Sequence, residues 1–219
     1  MKENEAIGNL LIDMITPILE GIEIEEVERK IAHHKRRLPR AKRETIADIL
    51  IREKALWGGV VGGVSSIPTM LPGIGSLISA GVGGVCELGA LLYLQSKLIM
   101  EIAVLYGYSP IGRRRIMDVL AVLSGSVGAN TSTQMFQYWA GKAVSDQLIF
   151  SVANQVARKM KLHLLSRGWK RFLPITSLVV GGGMNYKSTY DVGKVAQAYY
   201  QCEPSMGFDG DPKSVVDLS

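Results

Sequence analysis

The sequence predicts an all-α protein: a single helical bundle of about six helices with a long glycine-rich apolar helical hairpin. Three observations predict it. Residues 55–86, ALWGGVVGGVSSIPTMLPGIGSLISAGVGGVC, carry no charged side chain and are dense in glycine. Around them, apolar residues recur at the three- and four-residue spacing of amphipathic helices. Aromatic residues make up only 7% of the chain, and glycine, alanine and valine carry much of its hydrophobicity, which implies close contacts between helices. The 219 residues suit one domain with a sizeable core. Its organisation reads as an N-terminal helix and charged linker over 1–40, a helical domain over 41–201 and a disordered tail over 202–219.

From residue 5 to 20, Ile7, Leu10, Leu11, Met14, Ile15 and Ile18 line one helix face, which Pro17 is expected to end or kink. An acidic run follows, Glu20, Glu23, Glu25, Glu26 and Glu28, and then a basic one from His33 to Arg43. Lys35, Arg36, Arg37, Arg40, Lys42 and Arg43 form the first basic block. Such blocks serve either as solvated surface or as contacts to an anionic partner. Each cation beside an anionic membrane contributes about 1 kcal/mol, so these six matter only together and next to an apolar anchor.

Residues 41–56 supply the approach to that anchor, with Ile46, Ile49, Leu50 and Leu56 at helical spacing. Gly58, Gly59, Gly62 and Gly63 then make two overlapping GxxxG spacings, which put glycines on one helix face where another backbone can approach. Membrane helices and soluble helical cores both use this device. Pro68 and Pro72 with Gly73 and Gly75 interrupt the apolar stretch, because proline lacks a backbone donor and clashes with the preceding turn. The result is a hairpin whose arms end near Ser66 and begin near Ser76, in lipid or in a protein core.

The second arm reads as one helix over 76–106. Its first half has no charge, and then Glu87, Lys97 and Glu101 interrupt; Lys97 and Glu101 are spaced to pair on one face. Charge at these positions is costly in lipid and argues for a bundle core or partial insertion over a full span. Gly107 is the expected C-cap, with Pro110 preventing continuation. A further apolar helix follows over 115–129, then an amphipathic helix or helix pair over 135–167. The latter ends in a second basic block, Arg158, Lys159, Lys161, Arg167, Lys170 and Arg171. The last helix starts at Pro174, carries Gly181, Gly182 and Asn185, and runs to about Tyr200.

Several reaction classes find no support. GIGSLI at 73–78 has Ile78 where the dinucleotide fingerprint needs its third glycine, and no Gly-Lys-Ser or Gly-Lys-Thr occurs. His33 and His34 are adjacent rather than four apart, so they do not form a helical zinc pair. No nucleophile elbow or HExxH is present. We therefore expect no enzyme, cofactor or metal. Cys86 and Cys202 lack metal or CxxC spacing, so reduced thiols in the cytosol are expected. Acidic residues near the start, where a secretory signal is basic, predict no cleavable signal.

Residues 67–110, IPTMLPGIGSLISAGVGGVCELGALLYLQSKLIMEIAVLYGYSP, resemble the EcsC protein family. The resemblance rests on a proline-containing link followed by a helix ending in "EIA-x-x-YGY", here Glu101, Ile102, Ala103, Tyr106, Gly107 and Tyr108. A second match is PITSLVVGGGMNY at 174–186, with Pro174, Gly181, Gly182 and Asn185, although Ser177 stands where a glycine is frequent. What the resemblance implies is an all-helical bacterial or phage-type accessory protein, linked by the family's name to an ABC-transporter operon and secretion. It brings no catalytic residues with it.

These readings lead to an expected membrane-associated accessory or interaction protein on the cytoplasmic side, peripheral or partly inserted through the hairpin, with both basic blocks on anionic lipid. A protein partner in transport or secretion machinery and a homo-oligomer are further partnerships left open. The alternatives are a soluble bundle holding a lipid-like ligand and a membrane-permeabilising effector. Nucleic acid ranks last, because no aromatic residues interleave with the basic blocks as a stacking platform needs.

Overall fold

The computed structural model describes residues 2–63, 83–108, 112–126, 149–156 and 176–201, and among these the regular structure is helical throughout. The helices are α1 (Lys2–Glu20), α2 (Ile24–Arg37), α3 (Arg43–Gly63), α4 (Gly83–Tyr106), α5 (Gly112–Ser126), α6 over 149–156, and α7 (Thr176–Gln201). The hairpin link with Pro68, Pro72, Gly73 and Gly75, the second basic block at 158–171 and the tail lie outside the described residues.

Helix α4 is the axis of the bundle, with α1, α2, α3, α5 and α7 packed on it. Its sequence explains this. Leu92, Leu98, Ile99, Met100, Ile102 and Leu105 are all essentially inaccessible, so apolar side chains surround the helix instead of forming one stripe. Among the described residues, Leu88–Tyr106 is the stretch long and apolar enough to cross a membrane, and most of it is buried against the other helices. The largest interface of α3 is with α7, ahead of its contact with α4.

Helix α1 runs through Pro17 to Glu20 instead of stopping there. The ring removes one backbone donor, but Leu11, Met14, Ile15, Ile18 and Leu19 are all buried on the bundle, and that packing outweighs the lost bond. The turn that follows is closed by the Gly21 N–H on the Pro17 carbonyl at 3.0 Å. Arg115 of α5 donates to the Ile22 carbonyl at 2.7 Å, and burial lowers the pKa of this guanidinium.

Helix α2 is of another kind. It buries only Val27 and Ile31. Glu25 and Glu26 occupy its first turn and Lys35, Arg36 and Arg37 its last, which matches the helix dipole at both ends. Helix α4 ends in a Schellman motif: Tyr108 N–H reaches the Ala103 carbonyl at 2.9 Å and Gly107 N–H the Val104 carbonyl at 3.1 Å. Gly107 adopts φ +96°, a left-handed conformation that glycine takes without a Cβ clash.

Candidate functional site

Two features stand out: a charge cluster beneath α2 and an exposed apolar ridge on α3. The cluster centres on Glu101, whose side chain is 0% exposed. Its Oε1 accepts from Lys30 of α2 at 3.2 Å and from Lys54 of α3 at 3.1 Å. Its Oε2 is buried without a hydrogen-bond partner. Lys30 also donates to Glu53 at 2.8 Å, and Lys97 of α4 donates to Glu26 of α2 at 2.9 Å. Lys97 and Glu101, expected as a pair on one helix face, thus take their direct partners from other helices.

Three lysines and three glutamates balance here, but their environments differ. Burial pulls the Lys54 pKa below its usual value, further than the attraction of Glu101 restores it, and the nearby Lys30 adds to the depression. Burial acts the same way on Lys30, yet Glu101 and Glu53 together raise its pKa above the usual value. Lys97 is likewise raised, since its bond to Glu26 overcomes desolvation. Desolvation opposes the charge on Glu53, but the hydrogen bond from Lys30 leaves its pKa lowered. Glu26 is lowered chiefly by its hydrogen bond from Lys97. The arrangement joins α2, α3 and α4 electrostatically. Among the described residues, no three His, Cys, Asp or Glu side chains assemble as metal ligands.

The predicted glycine faces of α3 and α7 meet each other. A Cβ on Gly58 would lie 2.5 Å from Thr189 Oγ1 and 3.2 Å from the Asn185 carbonyl oxygen. One on Gly59 would lie 3.3 Å from the Gly182 carbonyl oxygen. Asn185 and Thr189 are buried, continuing the α7 stripe of Val192, Ala196 and Tyr200. Gly62 and Gly63 close α3, and Gly181 lies in α7.

On the outer side of α3, Ile49, Leu56, Trp57 and Val60 are exposed, by 36%, 62%, 53% and 42%. Positions 49, 56 and 60 fall on one line at helical spacing, with Trp57 beside it. Of the four apolar positions at helical spacing in this segment, Ile49 and Leu56 face outward while Ile46 and Leu50 face the core. The first basic block, Lys35, Arg36, Arg37, Arg40, Lys42 and Arg43, is exposed around the α2–α3 connection, and the half-exposed Leu38 lies within it.

Sequence reasoning had no hold on the partners of Glu101. A signal did exist: Lys54 falls in line with Ala47, Ile51 and Gly58, all on the buried side of α3, and a lysine on a buried stripe requires a counter-ion. Glu101 and Gly107, picked out as signature residues, occupy the cluster and the helix cap. Tyr108 packs against Tyr200 with ring centroids 5.2 Å apart, and burial raises the pKa of Tyr106.

Among the described residues, fold and site together define an all-helical bundle with a buried ionic centre, glycine-mediated helix packing and an exposed apolar ridge. The chain belongs to the EcsC protein family, whose model matches residues 52–202, more than half of its length. No curated protein and no solved structure that was compared with it matches.

Proposed function

We propose that the chain is a membrane-surface accessory protein of the EcsC type, acting on the cytoplasmic side by bringing a protein partner, such as transport or secretion machinery, to an anionic bilayer. The observation that carries this reading is the exposed ridge Ile49, Leu56, Trp57 and Val60, next to six exposed cations at 35–43. An exposed tryptophan beside leucine and valine suits the headgroup boundary, where its ring is half in apolar surroundings and half in water. Ile49, Arg52, Leu56 and Val60 recur at helical spacing on the exposed face of α3, so a helix lying flat would present cation and apolar side chains to one plane. The apolar contact is assigned to α3 and not to α4, because the described part of α4 is taken up by packing. Catalysis and a cofactor have no part in this proposal.

Flotation of the full chain with phosphatidylglycerol and phosphatidylcholine vesicles tests it. The chain should float with the first and stay at the bottom with the second. Leu56→Glu with Trp57→Glu, both on exposed positions, should reduce flotation at least tenfold. Neutralising the six cations should do the same and remove the salt dependence. A wild-type chain that ignores both vesicle types would sink the proposal.

A further inference from the structure

Helix α2 carries two sets of contacts that pull in different directions. Towards the bundle, Glu26 and Lys30 engage Lys97, Glu53 and Glu101, with only Val27 and Ile31 buried. Towards its C-terminal end stand Lys35, Arg36 and Arg37, exposed and without an acidic residue among them. We infer that α2 is an electrostatic latch, docked over α3 and α4 in solution and released when its basic end engages an anionic membrane. This deepens the surface reading above and rests on it.

The ion pairs are arranged so that release leaves no buried carboxylate without a cation. Glu101 is the one fully buried carboxylate of the cluster, and it keeps Lys54 when Lys30 leaves. Glu53 and Glu26 have side chains 38% and 54% exposed, so each passes readily into water. The repulsion between Lys30 and Lys54, which contributes to the depressed pKa of Lys54, is relieved. The region matched by the family begins at residue 52, so α2 lies ahead of it.

The connections permit the motion. Gly21 and Ile22 form the pivot on the α1 side, where Arg115 holds the Ile22 carbonyl and α1 stays anchored by its apolar face. On the other side, residues 38–42 lie between α2 and α3 without helical structure. Five residues reach about 16 Å when extended, which limits how far the end of α2 can move from the start of α3. Vesicle phosphates would attract Lys30, Lys35, Arg36 and Arg37 and repel Glu25, Glu26 and Glu28, tilting the basic end outward. Release uncovers the α4 surface around Lys97, which α2 covers in the docked state.

The test uses the full chain with Cys86→Ala and Cys202→Ser, spin-labelled at His33→Cys on α2 and Ala198→Cys on α7, both exposed positions. Pulsed spin-resonance distances are read without vesicles, with phosphatidylcholine and with phosphatidylglycerol, and flotation is run on the same samples. The expected result is one distance distribution shared by the first two conditions and a second, displaced population with phosphatidylglycerol. Flotation with an unchanged distribution overturns the latch and leaves the surface reading standing. No flotation with phosphatidylglycerol overturns both.

Discussion

Replacing Glu101 by Gln tests whether the buried ionic centre supports the fold. The amide keeps the shape and one acceptor oxygen but removes the charge. Lys30 retains Glu53 at 2.8 Å, so the loss falls on Lys54, whose side chain is 8% exposed. Left charged, Lys54 incurs the cost of a broken buried pair, about 3–5 kcal/mol. Its alternative is to lose its proton, and for a lysine of ordinary pKa 10.5 that costs at most about 5 kcal/mol at neutral pH. Because burial has already lowered the Lys54 pKa, the cheaper route lies below that ceiling, and we expect a loss of about 3 kcal/mol. In urea unfolding this is a midpoint drop of about 1–2 M at a typical slope near 2 kcal/mol/M. The deficit should shrink as pH rises towards the ordinary lysine value of 10.5, because a neutral Lys54 needs no counter-ion. Adding Lys54→Met should recover at least half of the loss, since an apolar side chain fits where an unpaired ammonium does not. A loss under about 1 kcal/mol, or no recovery in the double variant, would refute the reasoning.

The α3–α7 contact yields a paired prediction: Gly58→Val should destabilise by about 1–3 kcal/mol in urea unfolding, because its side chain meets Thr189 and the Asn185 backbone. Gly89→Ala in α4, where an added Cβ meets nothing within 4 Å, should instead stabilise by about 0.5–1 kcal/mol. Equal effects from both would remove the close approach as an explanation. Acid should loosen the cluster. Glu26 and Glu53 have pKa values below the ordinary 4.5, so their stabilisation is present above 4.5 and lost as pH falls through the lowered folded values. The urea midpoint should therefore drop between roughly pH 5 and 3, and less steeply in Glu53→Gln. Lys30 and Lys97 act at the other end, their contribution complete below 10.5 and lost as pH rises through their raised folded values.

The helical class was legible because apolar periodicity and an uncharged glycine-rich stretch are local signals. The end of α4 was legible for the same reason: Gly107 followed by a proline three residues on reads as a C-cap from sequence alone. Pro17 does not end α1, since helix-breaking propensity is local but the burial of Ile15, Ile18 and Leu19 that overrides it is tertiary. The spacing of Lys97 and Glu101 is overridden in a similar way. Their i,i+4 spacing permits a pair worth a few tenths of a kcal/mol, about the least that a competing partner must exceed. Glu26, Lys30 and Lys54 offered such partners from 71, 71 and 47 residues away. The outward turn of Leu56 and Trp57 was hidden because α3 is apolar on several sides near its C-terminal end, and only the placement of α7 decides which side is covered.

The signature from Glu101 to Tyr108 acquires a physical reading from these contacts. Glu101 ties α4 to α3 through Lys54, about one and a half turns before the helix ends at Tyr106. Ala103 supplies the carbonyl that the Tyr108 N–H closes on, Gly107 provides the left-handed residue this closure requires, and Tyr108 then lies against Tyr200 of α7. These residues are committed to joining α3, α4 and α7, the helices that dominate the region matched by the family. The ridge residues Leu56, Trp57 and Val60 fall inside that region, whereas Ile49, the cations at 35–43, α1 and α2 fall before it. Under the proposed surface reading, the apolar part of the contact thus lies largely within the family's region, while the first basic block lies ahead of it.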